Sequence, residues 1–162
     1  MPLEIREIAA AEFGRVWPIF QTVVAAGDTY TYDPAMTFEE ARDLWTTPPA
    51  RCFVAEEDGA VVGAYCVKPN QPGLGSHVAN AGYMVAPQAR GRGIAGTMCE
   101  HSLAVARAAG FRAMQFNAVV ATNEPAIRVW SKRGFEIVGR IPEGFRHTTR
   151  GWTDLLIMYR RL

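Results

Sequence analysis

Leu3 to Ile8 alternates apolar and polar positions, the period of a half-exposed strand. From Ala9 to Ala26 the period changes. Phe13, Val16, Trp17, Phe20, Val23 and Val24 recur at three- and four-residue spacing, which predicts an amphipathic helix that Pro18 should kink or split. A turn-rich loop from Gly27 to Pro34 follows, carrying Tyr30 and Tyr32. Thr37-Phe38-Glu39-Glu40 is a capping box that starts a second helix ending near Thr46, and Pro48-Pro49 stops it. Arg51 to Glu57 and Ala60 to Lys68 read as strands around Asp58-Gly59, a strong hairpin signal.

After a polar loop, Pro69 to His77, the apolar run Val78 to Ala86 predicts a buried strand closed by Pro87. A third helix spans Ile94 to about Ala109, and Ala113 to Val120 is a further strand. Asn123 begins a fourth helix through Lys132, with Pro125 in its first turn and Gly134 as its stop. Phe135 to Ile141 and Trp152 to Arg160 are the last strands, with Pro142 to Gly151 as their connecting loop. The order is β-α-α-β-β-β-α-β-α-β-β, an α/β chain predicting a mixed, mostly antiparallel sheet of seven strands with helices on both faces.

The segment between the fourth strand and the third helix, Gln88-Ala89-Arg90-Gly91-Arg92-Gly93, carries the chemistry. Gly91, Gly93 and Gly96 let backbone turn tightly and approach a ligand. The first N–H groups of the following helix lack intrahelical partners, and with the helix dipole they seat an anion, most naturally a phosphate. Arg90 and Arg92 add positive charge beside it. Gly91 to Gly96 matches G-x-G-x-x-G, but a dinucleotide site also wants a carboxylate about 20 residues on. The next strand offers Gln115 and Asn117 instead. A Walker loop is excluded because no Lys-Ser/Thr follows the glycines.

Composition narrows the classes further. The 162 residues make one domain by size, and a net charge of +1 gives no global drive toward nucleic acid or an anionic membrane. Cys52, Cys66 and Cys99 are odd in number and form no C-x-x-C, so they read as buried thiols of a reducing compartment, with Cys52 and Cys66 on neighbouring strands without bonding. No apolar run reaches membrane-spanning length and the N-terminus lacks a signal-peptide pattern, so the expected location is the cytoplasm.

Gln88, Gly91 and Gly93 satisfy Q/R-x-x-G-x-G/A, and Asn123 to Phe135 resembles the N-x-x-A-x-x-x-Y-x-x-x-G-F segment. Together these motifs resemble the GCN5-related N-acetyltransferase (GNAT) superfamily, and the element order matches its fold from end to end, as a single domain over 1–162. The tyrosine loop and the GFRHTTRGWTDLLIM stretch resemble its small-amine branch, near the phosphinothricin and azetidine-carboxylate acetyltransferases.

The resemblance implies acetyl-CoA as acyl donor, no metal, a small-molecule amine as acceptor, and a homodimer. It maps the donor to the acyl oxygen onto the Val85 N–H, where the central strand splays from its neighbour. The pyrophosphate maps to Arg90, Gly91, Arg92, Gly93, Ala95 and Gly96, and Asn123 to a coenzyme contact that can also be a plain helix N-cap. Asn80 stands where many relatives carry a glutamate base, and Trp130 where they carry a tyrosine acid; neither can serve as the proton carrier.

Asn80 and Asn117 are expected on adjacent splayed strands, orienting the acceptor or satisfying local backbone groups. Tyr30 and Tyr32 would reach the acceptor, one of them as core, and Arg146 and His147 could bind an acceptor carboxylate from the last connecting loop. Two alternatives stay open: acetylation of a protein N-terminus or lysine, and an acyl-CoA-binding module without catalysis.

Overall fold

The computed structural model describes residues 2–162. Seven strands form one sheet: β1 (Glu4–Ile8), β2 (Arg51–Glu57), β3 (Ala60–Pro69), β4 (Val78–Val85), β5 (Ala113–Val120), β6 (Glu136–His147) and β7 (Gly151–Arg161). Four helices accompany them: α1 (Trp17–Ala26), α2 (Phe38–Thr46), α3 (Ile94–Ala108) and α4 (Glu124–Lys132). The spatial order is β1-β2-β3-β4-β5-β7-β6, and every pairing is antiparallel except β4 with β5. This is the predicted mixed sheet. A doubly wound dinucleotide fold, which needs a run of parallel strands, is ruled out by the single parallel pair.

Local signals act where the sequence puts them. Asp58 and Gly59 both adopt positive φ, 50° and 78°, the pair of left-handed residues a two-residue hairpin turn requires. The capping box forms: Glu40 N–H donates to Thr37 Oγ1 at 3.2 Å and Thr37 N–H to Glu40 Oε2 at 2.8 Å. Pro18 splits the predicted first helix. A 3₁₀ turn, Ala10–Arg15, comes first, and α1 then starts with the proline in its first turn, where its missing N–H costs nothing.

The last hairpin differs from expectation. Pro142 to Gly151 is not a loop: β6 runs through it to His147, and only Thr148, Thr149 and Arg150 connect to β7. β6 is an edge strand, where proline is tolerated, and residues 142–144 form a bulge between the pairs Ile141–Leu155 and Phe145–Thr153. Asp154 compensates the bulge, its Oδ1 accepting from Glu143 N–H at 2.9 Å and its Oδ2 pairing with Arg140 at 2.7 Å.

Adjacent residues on a strand face opposite sides of the sheet. Tyr83 sends its phenol to Ser102 of α3, whereas the Cα of Gly82 lies under the hydroxyl of Tyr30 in the loop after α1. Helix α3 and the loop between α1 and α2 therefore cover opposite faces. Phe13, Phe20 and Trp45 are fully buried around that first loop, and Tyr83, Phe116, Trp130 and Phe135 stack across the other face at 4.3–5.8 Å between ring centres. Cys52 and Cys66 lie opposite one another in the β2–β3 ladder, both buried and unbonded.

Candidate active site

The site begins where the one parallel ladder fails. β4 and β5 pair only over Val78–Ala113, Ala79–Met114 and Asn80–Gln115. Beyond that rung β5 leaves: it bulges at residues 117–118, which have no partner between the Phe116–Met158 and Val119–Leu156 pairs with β7. A wedge-shaped gap opens through the sheet.

Strand alternation fixes what faces the gap. Ala86 N–H donates to Val62 O at 2.8 Å and Asn70 N–H to Val78 O at 2.8 Å, so the even-numbered residues of this strand direct their main-chain groups to β3. The main-chain groups of Tyr83 and Val85 consequently face the gap. The Tyr83 carbonyl is taken by the Tyr30 hydroxyl at 2.9 Å. The Val85 N–H is free to donate into the opening.

A cavity of about 870 Å³ runs through this gap from one face of the sheet to the other. Its wall includes Tyr30, Tyr32, Asn80, Val85, Arg90, Gly91, Gly93, Ala95, Gly96, Asn117, Asn123 and Trp130. Most of the residues singled out in the sequence thus converge, although they come from separate strands, helices and loops.

At the α3 end of the cavity, Gly91 and Gly93 have φ of 76° and 79°, so the backbone itself demands glycine, and a Cβ at either would meet open space. Gly93 caps α3 with no side-chain partner, and the first turn of the helix holds no acid. The first N–H to find a helical acceptor is that of Thr97, which donates to Gly93 O at 3.1 Å. Among the described residues the N–H groups of Gly91 to Gly96 have no acceptor, which is the donor set an oxyanion group would complete. Arg90 lies in the wall, and Asn123 accepts from Ala126 N–H at 3.4 Å, an N-cap whose amide nitrogen remains available.

Two expectations at this loop change. Arg92 turns outward to Glu57, 2.6 Å away, and takes no part in the wall. Gly96 is bare for a packing reason: the Arg133 guanidinium lies where its Cβ would be, donating to Gly96 O at 2.9 Å and Val129 O at 3.1 Å. That contact ties the start of α3 to α4.

On the opposite face, Tyr32 stacks on Phe20 at 5.5 Å and its hydroxyl accepts from Trp45 Nε1 at 3.3 Å. Both tyrosines are packed and both line the cavity. Burial pushes the Tyr30 phenol well above its usual range and Tyr32 in the same direction, so both stay protonated. Asn80 donates to Gln115 O at 3.0 Å. Asn117 accepts from Gln115 Nε2 at 2.9 Å and donates to Asn70 Oδ1 at 2.7 Å, an amide chain spanning the gap's rim.

Arg146 and His147 are displaced from the site. They end β6 in register with Trp152 and Gly151, and neither lines the cavity. His147 Nδ1 instead accepts from the N–H groups of Thr149 and Arg150 at 3.1 and 3.2 Å, closing the hairpin turn. The hairpin tip acts indirectly, since Thr148 N–H donates to Gly27 O at 3.0 Å and so holds the start of the tyrosine loop.

The cavity also takes in residues the sequence reading passed over: Asp28, Cys66, Lys68, Asn70 and Tyr83. Lys68 is the register partner of Asn80 across β3 and β4, a relation the hairpin alone could have disclosed. Tyr83 is held by Ser102 Oγ at 2.6 Å, and burial raises its phenol well above the ordinary range. Burial also raises the thiol of Cys66 to about 12 and that of Cys99 to about 11, so neither is a nucleophile at neutral pH. Trp130 is 8 % exposed and packs on Tyr83 and Phe116. Among the described residues no group of His, Cys, Asp or Glu could hold a metal ion, and no helix is long and apolar enough to cross a membrane.

Comparison with known proteins gives this geometry its context. The fold superposes on a GCN5-related N-acetyltransferase from Kribbella flavida with a TM-score of 0.94 and 45% identity, over 99% of this chain and 98% of that one. It superposes on a phosphinothricin acetyltransferase of Sinorhizobium meliloti, solved in complex with acetyl-CoA, with a TM-score of 0.89 over 100% of this chain and 89% of that one. At 22% identity that likeness shows the fold alone. In sequence, the chain is 33% identical over 139 residues to the N-acetyltransferase aca1 of Schizosaccharomyces pombe, covering 76% of this chain and 66% of that protein's length. The model of the acetyltransferase (GNAT) family matches residues 5–135, and the chain belongs to that family.

Proposed function

We propose that the protein transfers the acetyl group of acetyl-CoA to the amine of a small molecule, an amino acid or close analogue, by direct attack and without an acyl-enzyme. The observation that carries this reading is the gap between β4 and β5: it joins an uncapped helix N-terminus to a tyrosine-lined pocket on the other face of the sheet. A donor and an acceptor entering from opposite faces would meet beside Val85.

Acetyl-CoA would supply the activated acyl group as a thioester. The N–H groups of Gly91 to Gly96, with Arg90, would hold its pyrophosphate, and Asn123 would contact it from the start of α4. The Val85 N–H would donate to the acyl oxygen where negative charge develops, a fixed dipole needing no reorganisation. Asn80 would act through position, since an amide has no proton to trade at neutral pH. The raised thiols of Cys66 and Cys99 argue against a covalent cysteine route. The aromatic enclosure by Tyr30, Tyr32 and Trp45 favours a small acceptor of the phosphinothricin-acetyltransferase kind over a polypeptide.

The test is free-thiol release from acetyl-CoA with a panel of amino acids, n-butylamine and short peptides, with product masses recorded. Acetylated small amines are expected. Thiol release without an acetylated amine would mean hydrolysis, and acetylation confined to peptides would transfer the protein to the N-terminal class.

A further inference from the structure

We infer that Asp28 is the recognition site for a cationic group of the acceptor, so that the enzyme draws in amines as ammonium ions, the reacting nitrogen giving up its proton to water before it attacks the thioester. This rests on the small-amine reading above and adds the residue that selects the substrate's charge.

Asp28 lines the cavity on the tyrosine-loop face, and its Oδ1 is buried without a hydrogen-bond partner. A buried polar atom left unpaired is rare in a folded protein and calls for a reason. Several polar groups of the wall are used elsewhere: the Tyr30 hydroxyl donates to Tyr83 O, the Tyr32 hydroxyl accepts from Trp45, and the Asn80 and Asn117 amides are engaged with Gln115 and Asn70. Asp28 is also the sole carboxylate among the residues of the wall. The two cations there, Lys68 and Arg90, form no salt bridge with it.

The chain just before the carboxylate is anchored. Gly27 ends α1 in the left-handed conformation, φ 65°, and its carbonyl accepts from the Thr148 N–H and hydroxyl at 3.0 Å each. The β6–β7 hairpin tip therefore clamps the residue just before Asp28. An unpaired carboxyl oxygen in the cavity wall matches a group that brings both a positive charge and N–H donors. At neutral pH an aliphatic amine enters almost entirely in that form.

The experiment compares wild type with Asp28→Asn, which keeps the shape and removes the charge. The acceptors are n-butylamine and the proteinogenic amino acids, taking forward whichever turns over fastest. The acceptor KM is expected to rise at least tenfold, with the acetyl-CoA Kd unchanged within twofold and the melting temperature not lowered. Asp28→Glu should recover part of the loss. A KM rise below tenfold, or a parallel loss of coenzyme affinity or of melting temperature, overturns the inference and leaves Oδ1 an oxygen that water satisfies. A wild-type protein that acetylates no member of the panel would instead overturn the proposed function, and this inference with it.

Discussion

The side-chain amide of Asn80 donates to the main-chain carbonyl of Gln115 at 3.0 Å, on the last rung where β4 and β5 are still paired. The sheet opens immediately beyond it. Asn80→Ala should cost about 1 kcal/mol of stability, the usual worth of one such bond, and lower turnover as the apex of the gap loosens. Asn80→Asp should be worse than Asn80→Ala, because a carboxylate facing a carbonyl has nothing to donate. Thermal unfolding and initial rates decide it; an Asn80→Asp variant as stable as wild type would remove this bond from the architecture of the site.

Coenzyme binding should depend on bare backbone at Gly93. Gly93→Glu places bulk and negative charge in the open space beside the free N–H groups of α3. Calorimetry should show acetyl-CoA affinity falling more than tenfold, about 1.4 kcal/mol. Gly93→Asn controls for the positive φ, since asparagine tolerates the left-handed region. A Gly93→Glu variant that is folded and binds normally would dismiss the phosphate-loop assignment.

Gly96 should prove structural. Gly96→Ala drives a methyl group into the Arg133 guanidinium, an overpacking expected to cost about 1–3 kcal/mol. Adding Arg133→Ala should recover much of that loss, because the two changes share one contact. Additive losses in chemical denaturation would separate the two residues.

Stability should fall on mild acidification through His101. Its Nδ1 lies 2.7 Å from the Tyr65 hydroxyl, and burial lowers its pKa from the ordinary 6.5. The unfolded chain therefore takes up the proton first. The contribution is fully present above about pH 6.5 and is lost as pH falls through the lower folded value. The melting temperature should drop across that window in wild type and stay flat in His101→Gln. The carboxylates held down by arginines, Glu7, Glu12 and Glu56, act in the same direction but below the ordinary carboxylate range near 4.5, so the two effects separate.

Sequence alone determined most of the elements and marked the glycine loop ahead of α3. Those features are local: a period of 2 or 3.6, the capping box at Thr37, the Asp58-Gly59 turn, and glycines at 91 and 93 leading into a helix with no cap. Each depends on residues within one turn or one hairpin, so neighbouring letters suffice to specify it. The phosphate loop is such a feature, and the family resemblance followed from it.

Tertiary structure decided the tyrosine-loop end of the cavity, because nothing local distinguishes it. Arg146 and His147 looked available in a loop, but an edge strand with a bulge stabilised by Asp154 carried them to a hairpin tip. Arg92 and Gly96 belong to the motif by spacing, yet Glu57 from the β2–β3 hairpin claims one and Arg133 from α4 occupies the space beside the other. Asp28 reads as an ordinary turn residue until the sheet, the tyrosine loop and the hairpin enclose it. Its lone oxygen is a property of the assembled fold, in which the distant Tyr83 carbonyl and Asn80 amide are engaged elsewhere.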